Sequence, residues 1–160
     1  MKLMLNGVPR DFETTLSATL LDLLREQAGL FAARPGCEIG RCGACMVLVD
    51  GAPTNACLVP AWRAEGTAIV TAEGLEAPAL RAALTQGNAF QCGYCAPGIT
   101  ITLAALLRET PHPDEATLRA ALVPHLCRCT GYHSILRAVL AWTGTETGRG
   151  TETGRGTETG

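Results

Sequence analysis

The chain has 160 residues, of which 47% are apolar and 4% aromatic, which is enough for one domain or two small ones with an aliphatic core. The formal net charge of −2, without clustered Lys or Arg, argues against a nucleic-acid-binding protein. No apolar run reaches the roughly 18 residues of a membrane span, and the N-terminus shows neither a secretory signal nor a twin-arginine pair. We therefore expect a cytoplasmic protein.

The first part of the chain, residues 1–75, is predicted to form a small mixed sheet crossed by one helix. The pair Asn6-Gly7 is a strong hairpin signal between two strand-like runs. Residues 18–28 have helical apolar spacing, and Gly29 ends that helix. The predicted strands are 2–6, 9–13, 46–49, 54–59 and 67–71.

The second part, residues 76–142, reads as helical, and a domain boundary is predicted within 73–78, where strands give way to helices. From Thr143 the chain repeats TETGRG and has no apolar residue. Such a segment cannot bury surface to offset its ordering entropy, so we expect 143–160 to be a disordered tail, with a linker to a partner as the alternative. The predicted helices are 78–89, 98–109, 114–123 and 132–142.

Eight cysteines are the main chemical signal in the sequence. Without a signal peptide a disulfide framework is not expected, so clustered thiols indicate metal binding. They fall into two groups of four, one in each predicted domain. The cysteines are Cys37, Cys42, Cys45, Cys57, Cys92, Cys95, Cys127 and Cys129.

The first group has the spacing of a plant-type [2Fe-2S] ferredoxin. The stretch GCEIGRCGAC at 36–45 supplies three thiols, and Cys57 follows Cys45 within the predicted hairpin. A three-residue turn would place these two opposite each other, and the two-residue turn Asp50-Gly51 would place Cys57 one position off. Zinc is the alternative, although structural zinc sites usually use two C-x2-C pairs.

Glycines surround these thiols because a loop can wrap an anionic cluster closely only where residues take positive φ and lack a Cβ. Gly36, Gly40 and Gly43 are assigned this role in the first loop. Gly93 is assigned to the second loop.

The second group lies in QCGYCAPG at 91–98 and CRCTGY at 127–132. Pro97 suits the first position of one helix, and Thr130 can cap the next. Two helix N-termini would then point at one anionic cluster, so we expect these helices to be neighbours with adjacent cysteine ends. A Rieske centre would need two histidine ligands. None of the histidines has a ligand spacing, and each is expected at the surface or an interface: His112, His125 and His133.

Five motifs occur in a fixed order: GCEIGRCGAC, CLVP at 57–60, TAEGL at 71–75, QCGYCAPG and CRCTGY. Together they resemble the iron–sulfur subunit of the molybdenum hydroxylases, the xanthine dehydrogenase, aldehyde oxidase and carbon monoxide dehydrogenase family, over residues 2–142. The resemblance implies an α+β fold, with a β-grasp ferredoxin domain followed by a four-helix bundle. It also implies two [2Fe-2S] clusters, one on each group of cysteines.

The resemblance further implies an electron-transfer subunit without catalytic residues of its own. A large partner subunit would hold the molybdopterin cofactor near the second cluster, where Gln91 and Cys129 would contact the pterin. Electrons would pass from there to the second cluster, then to the first, and on to a flavin subunit or a cytochrome. The chain departs from the family pattern at Ala96, where Thr is commoner, and at His125, where Asn is common. The alternatives are a free-standing two-cluster electron carrier and a zinc-stabilised binding module.

Overall fold

A five-stranded mixed sheet precedes a set of helices in the computed structural model, which describes residues 1–144. The strands are β1 (Lys2–Leu5), β2 (Val8–Asp11), β3 (Met46–Val49), β4 (Ala52–Asn55) and β5 (Ala68–Val70). Their order across the sheet is β2-β1-β5-β3-β4. Only the central pair β1 and β5 is parallel. The predicted combination of a mixed sheet and helices is confirmed.

Both hairpins turn on two residues with positive φ. Asn6 (φ 51°) and Gly7 (φ 78°) join β1 to β2, and Asp50 (φ 48°) and Gly51 (φ 85°) join β3 to β4. Asn-Gly and Asp-Gly favour such turns because both positions must be left-handed, and the resulting twist matches that of the strands. The hairpin predicted at Asn6-Gly7 is confirmed.

The second turn sets the register of the two cysteines on either side of it. Val49 pairs with Ala52, and the N–H of Ala56 donates to the carbonyl oxygen of Cys45 at 3.2 Å. Cys57 is therefore one position past the residue opposite Cys45. The sequence allowed two registers, one for a two-residue turn and one for a three-residue turn, and the structure has the register of the two-residue turn.

The strand predicted over 54–59 is wrong beyond Asn55. The chain leaves β4 there and forms a 3₁₀ turn at Ala56–Leu58. Ala56 and Cys57 are 0% and 8% exposed, so two consecutive side chains enter the core. A regular strand points consecutive side chains to opposite faces, so it could not bury both.

The helix predicted over 18–28 is shorter than expected and partly of another type. A single turn, α1 (Leu20–Asp22), continues as a π-helical turn (Leu23–Gln27). It begins at Leu20 because Thr19 and Asp22 form a reciprocal capping box, with N–H donor distances of 2.9 and 3.2 Å. Its apolar face packs in one core with the sheet through Leu20, Leu21, Leu23 and Leu24.

Residues 76–144 contain four helices, the number predicted, and the structure shows that they share a core. They are α2 (Pro78–Gln86), α3 (Ala96–Glu109), α4 (Glu115–Leu122) and α5 (His133–Thr143). α2 packs mainly on α5, and α3 packs mainly on α4 and on β3. The largest side chains of the shared core include Leu84, Ile99, Leu103, Leu118, Ile135 and Val139.

The sheet and the helices meet along α3. Ile101 and Ala105 pack against Met46 and Leu48 of β3, and together they form a small buried cluster. Gly98 lies at the start of this seam, where a Cβ would come closer than 3.0 Å to the carbonyl oxygen of Gly43. This close contact places the N-terminus of α3 directly against the loop of the first cysteine group.

Three details of the helices differ from the predictions. α3 begins at Ala96, so Pro97 is its second residue rather than its first. Tyr132, with φ 68°, is the N-cap of α5, and Thr130 does not cap the helix. α5 extends to Thr143, and residues 145–160 of the predicted tail lie outside the described residues. Within residues 1–144 no helix is long and apolar enough to cross a membrane.

Candidate metal centres

The first thiol loop, residues 36–45, folds around its own sulfur atoms. The N–H groups of Arg41 and Cys42 donate to Cys37 Sγ at 3.1 and 3.3 Å, and the N–H of Cys37 donates to Cys42 Sγ at 3.4 Å. The N–H of Ile39, followed by those of Arg41 and Cys42, lowers the pKa of Cys37 to about 7. Hydrogen bonds to sulfur favour the thiolate, which is the metal-binding form.

The other two thiols of this group are buried and lie together. Burial raises the pKa of Cys45 to about 12, and the thiol of Cys57 beside it adds to the effect. Asn55 supports the pair: its Oδ1 lies 3.8 Å from Cys45 Sγ, and its Nδ2 donates to the carbonyl of Gly40 at 3.2 Å. Sequence reasoning missed Asn55, which ties the end of β4 to the thiol loop.

Glycine has two different uses in this loop. Gly40 and Gly43 have φ of 74° and 67°, which favours glycine. Gly36 does not have positive φ, so the prediction is wrong for its backbone. It is needed instead for close approach, since a Cβ there would lie 2.8 Å from Cys42 Sγ.

The second thiol group joins the loop before α3 to the loop before α5. Cys95 is buried, Cys127 is half-buried, and Cys92 and Cys129 are exposed. Burial raises the pKa of Cys95 to about 12, with a further contribution from the neighbouring thiol of Cys127. The N–H of Tyr94 and the thiol of Cys129 lower the pKa of Cys92.

The side chains of Thr130 and Tyr132 support Cys127. The sequence predicted a helix cap at Thr130 and gave no role to Tyr132. The hydroxyl of Thr130 lies 3.0 Å from Cys127 Sγ and accepts the N–H of Tyr132 at 3.1 Å. The phenol of Tyr132 accepts the N–H of Cys127 at 3.1 Å and donates to the carbonyl of His125 at 2.8 Å. Burial raises the pKa of Cys127, but hydrogen bonds from Thr130 and nearby backbone outweigh it, so the net pKa is lowered.

The thiols of each group all lie close enough to affect one another, and they interact most strongly in pairs. Cys37 interacts with Cys42 and Cys45 with Cys57 in the first group. In the second, Cys92 interacts with Cys129 and Cys95 with Cys127. Within residues 1–144 no three His, Cys, Asp or Glu side chains are grouped so as to hold one metal ion. Pairs of thiolates fit a [2Fe-2S] cluster, in which four cysteines divide between two irons.

Both groups border one cavity of about 310 Å³ between the loops. The loops are joined on one side by Arg34, which donates to the carbonyl of Gly93 at 2.8 Å and lies 5.1 Å from the ring centroid of Tyr94. The Tyr94 hydroxyl donates in turn to the carbonyl of Pro35. The cavity is lined by Cys37, Cys42, Cys92, Cys95, Cys127 and Cys129 among others.

His125 joins the loops on the other side. It is 3% exposed, so of the two predicted positions, surface or interface, the surface one is wrong. Its Nε2 lies 2.7 Å from Thr102 Oγ1, and burial lowers its pKa to about 4, which keeps the ring neutral at pH 7. Nδ1 has no hydrogen-bond partner among the described residues, although the backbone of Gly43 lies close enough to affect the ring. His112 and His133 are exposed, as expected.

The remaining predicted site residue, Gln91, is exposed and immediately precedes the exposed Cys92. Cys129, the other residue expected near a pterin, is also exposed and interacts with Cys92. One edge of the second thiol group is therefore open to a partner.

Two family descriptions together cover most of the chain. Residues 3–71 match the 2Fe-2S iron-sulfur cluster binding domain, and residues 71–140 match the [2Fe-2S] binding domain. A probable xanthine dehydrogenase subunit from Bacillus subtilis is 42% identical over 140 residues, which cover 86% of this chain and 81% of that protein. The nicotinate dehydrogenase small FeS subunit of Eubacterium barkeri is 41% identical, with 87% and 91% covered.

Solved structures give the same assignment. The chain is similar to quinoline 2-oxidoreductase from Pseudomonas putida 86, with a TM-score of 0.86, 39% identity, and 90% of this chain and 93% of that chain covered. It is also similar to the aldehyde oxidoreductase from Desulfovibrio desulfuricans, with a TM-score of 0.84 and 36% identity, covering 91% of this chain and only 17% of that longer one. The chain thus belongs to the family of iron–sulfur subunits of the molybdenum hydroxylases.

Proposed function

We propose that this chain is the electron-transfer subunit of a multi-subunit, molybdopterin-dependent oxidoreductase and that it holds two [2Fe-2S] clusters. The observation that carries the proposal is the gathering of eight thiols into two groups of four, with all four thiols of the second group and two of the first, Cys37 and Cys42, bordering one cavity. When bound, each cluster accepts and releases one electron at a time. The chain's own residues supply the thiolates, the N–H donors to sulfur and the contacts that hold the two loops together.

The pairing of the thiols suggests how each cluster is held. In the first cluster, Cys37 and Cys42 would bind one iron, and Cys45 and Cys57 the other. In the second, Cys92 and Cys129 would bind one iron, and Cys95 and Cys127 the other. Because Cys45 and Cys95 are buried, burial raises the pKa of both thiols and disfavours their charged forms unless a metal is bound. Metal binding should therefore be coupled to folding of both loops.

The two clusters correspond to two proposed domains. Residues 1–75 would form a β-grasp ferredoxin-like domain, which the strand order β2-β1-β5-β3-β4 supports. Residues 76–142 would form a four-helix bundle, which the shared core of α2 to α5 supports. Thr143 belongs to α5, so only the part of the predicted tail over 145–160 stays a prediction, as does the cytoplasmic location.

The exposure of the second thiol group suggests the direction of electron flow. Gln91 and Cys129 are exposed, so a large molybdopterin-binding subunit can approach the second cluster there. Electrons would enter at this edge, pass to the first cluster, and leave to a flavin subunit or a cytochrome. The substrate-oxidising site would lie on the large subunit. Relatives named as subunits of dehydrogenases support this function over a free-standing carrier.

The assignment of Gln91 gives a direct test of the partner. We expect the chain to co-purify with a large molybdopterin-binding subunit, and Gln91→Ala to lower turnover of that complex while both clusters keep their paramagnetic resonance signals. Gln86→Ala is the matched control, because Gln86 is an exposed glutamine at the end of α2, outside both thiol groups. Equal turnover of the two variants would contradict the role of Gln91. Isolation of the chain with both clusters but no large subunit would favour the free-standing carrier.

A further inference from the structure

One backbone hydrogen bond joins the two thiol loops, from the residue that precedes Cys127 to Cys42. The N–H of Leu126 donates to the carbonyl oxygen of Cys42 at 3.0 Å. Leu126 is bonded directly to Cys127. A path from the thiol of Cys127 to the thiol of Cys42 therefore needs one hydrogen bond, and every other link in it is covalent.

His125, the residue before Leu126, is held at three points. Its ring nitrogen Nε2 lies 2.7 Å from the hydroxyl of Thr102 on α3. Its N–H donates to the carbonyl of Leu122 at 3.0 Å, and its carbonyl accepts the phenol of Tyr132 at 2.8 Å. His125 is 3% exposed, and both its N–H and its carbonyl are hydrogen-bonded. Because His125 is fixed in this way, the next residue, Leu126, has little conformational freedom.

The same ring also packs on the first thiol loop. A Cβ on Gly43 would come closer than 3.0 Å to His125 Nδ1 and to the carbonyl oxygen of Pro124, so ring and loop are in close contact. Gly43 directly follows Cys42. His125 thus lies between α3 and the residue next to the acceptor of the connecting hydrogen bond.

We propose that His125 is a positioning residue that holds the two thiol loops in register, so that the Leu126–Cys42 hydrogen bond connects the two clusters through the backbone. This inference rests on the proposed function, because it concerns how the two clusters communicate. Thr102 acts through His125: its hydroxyl fixes the ring, and the ring fixes the loop.

The test uses the full chain with both clusters, prepared without oxygen and reduced with dithionite. Thr102→Val removes the hydroxyl and keeps the volume, Thr102→Ser keeps the hydroxyl, and His125→Ala removes the ring. His112→Ala is the control, because His112 is exposed and bonds instead to the carbonyl of Thr143. Two readouts are followed: hydrogen exchange of the Leu126 amide, and the magnetic dipolar splitting between the reduced clusters.

We expect His125→Ala to speed exchange of the Leu126 amide about tenfold, which corresponds to about 1.4 kcal/mol of lost protection. Thr102→Val should change exchange in the same direction by a smaller factor, and Thr102→Ser should restore it. The dipolar splitting, which depends steeply on separation, should broaden or shift in His125→Ala and Thr102→Val and match the wild type in Thr102→Ser and His112→Ala.

Unchanged exchange and unchanged splitting in Thr102→Val would overturn the proposal, and this variant decides the matter if His125→Ala does not fold. Failure of the proposed function has a different signature. In that case the wild-type chain itself would show no pair of reduced-cluster signals, whereas the exchange measurement would still report whether His125 holds the Leu126 amide.

Discussion

For the substitution Gly98→Ala, helix propensity and close packing predict opposite changes in the free energy of unfolding. In the interior of an ordinary helix, replacing glycine with alanine stabilises the folded protein by about 1 kcal/mol. In α3 the new Cβ would come closer than 3.0 Å to the carbonyl oxygen of Gly43, which is backbone and cannot rotate away. Overpacking of this kind costs about 1–3 kcal/mol. Because this contact joins two backbones, we take the upper part of that range and expect Gly98→Ala to destabilise by about 1–2 kcal/mol net.

Thermal unfolding of the cluster-loaded protein measures this balance. For a chain of this length, about 1 kcal/mol shifts Tm by about 2–4 °C, so we expect a fall of roughly 2–8 °C. The first cluster should also lose signal before the second, because the displaced carbonyl belongs to the first thiol loop. The control is Ala120→Gly, at an exposed position of α4, which measures the effect of helix propensity on Tm without a packing contact. A Tm that rises in Gly98→Ala would refute the reasoning that close packing outweighs propensity there.

Three further predictions concern the thiol loops. Gly36→Ala places a Cβ 2.8 Å from Cys42 Sγ, so we expect loss of most of the first reduced-cluster resonance signal and retention of the second; two full signals would contradict this. Thr130→Val removes the hydroxyl 3.0 Å from Cys127 Sγ and should shift the midpoint potential of the second cluster alone, which a spectroscopic redox titration measures, with Thr130→Ser restoring the wild-type value. Removal of iron with a chelator should lower Tm and make the amides of 36–45 exchange faster, because the irons cross-link three thiols of this loop to Cys57; unchanged protection would show that the loop is preformed.

The features that the sequence predicts best are those that local chemistry decides. Asn6-Gly7 and Asp50-Gly51 require left-handed dihedrals, and both form two-residue turns. The helices of the second half follow from apolar spacing, and their bounds differ from the predictions by at most three residues. The cysteine spacing indicates two groups, and the structure brings each group together.

The features that sequence reasoning missed depend on distant parts of the chain. His125 is buried because Thr102, 23 residues away, provides a partner for its ring. Arg34 pairs with Tyr94 across 60 positions of sequence, and no local pattern marks such a contact. Tyr132 takes a left-handed conformation at the start of α5, because its phenol is fixed by the backbone on either side of Leu126. Secondary-structure propensity does not predict any of these three contacts, since each depends on tertiary packing.

The central claim is that four pairs of thiols hold two binuclear iron clusters. Iron and acid-labile sulfide analysis of the full chain, prepared without oxygen, tests it most directly. The account predicts about four irons and about four sulfides per polypeptide, with visible absorption that dithionite bleaches. A colourless protein that carries zinc, or one with about half this iron content, would contradict it.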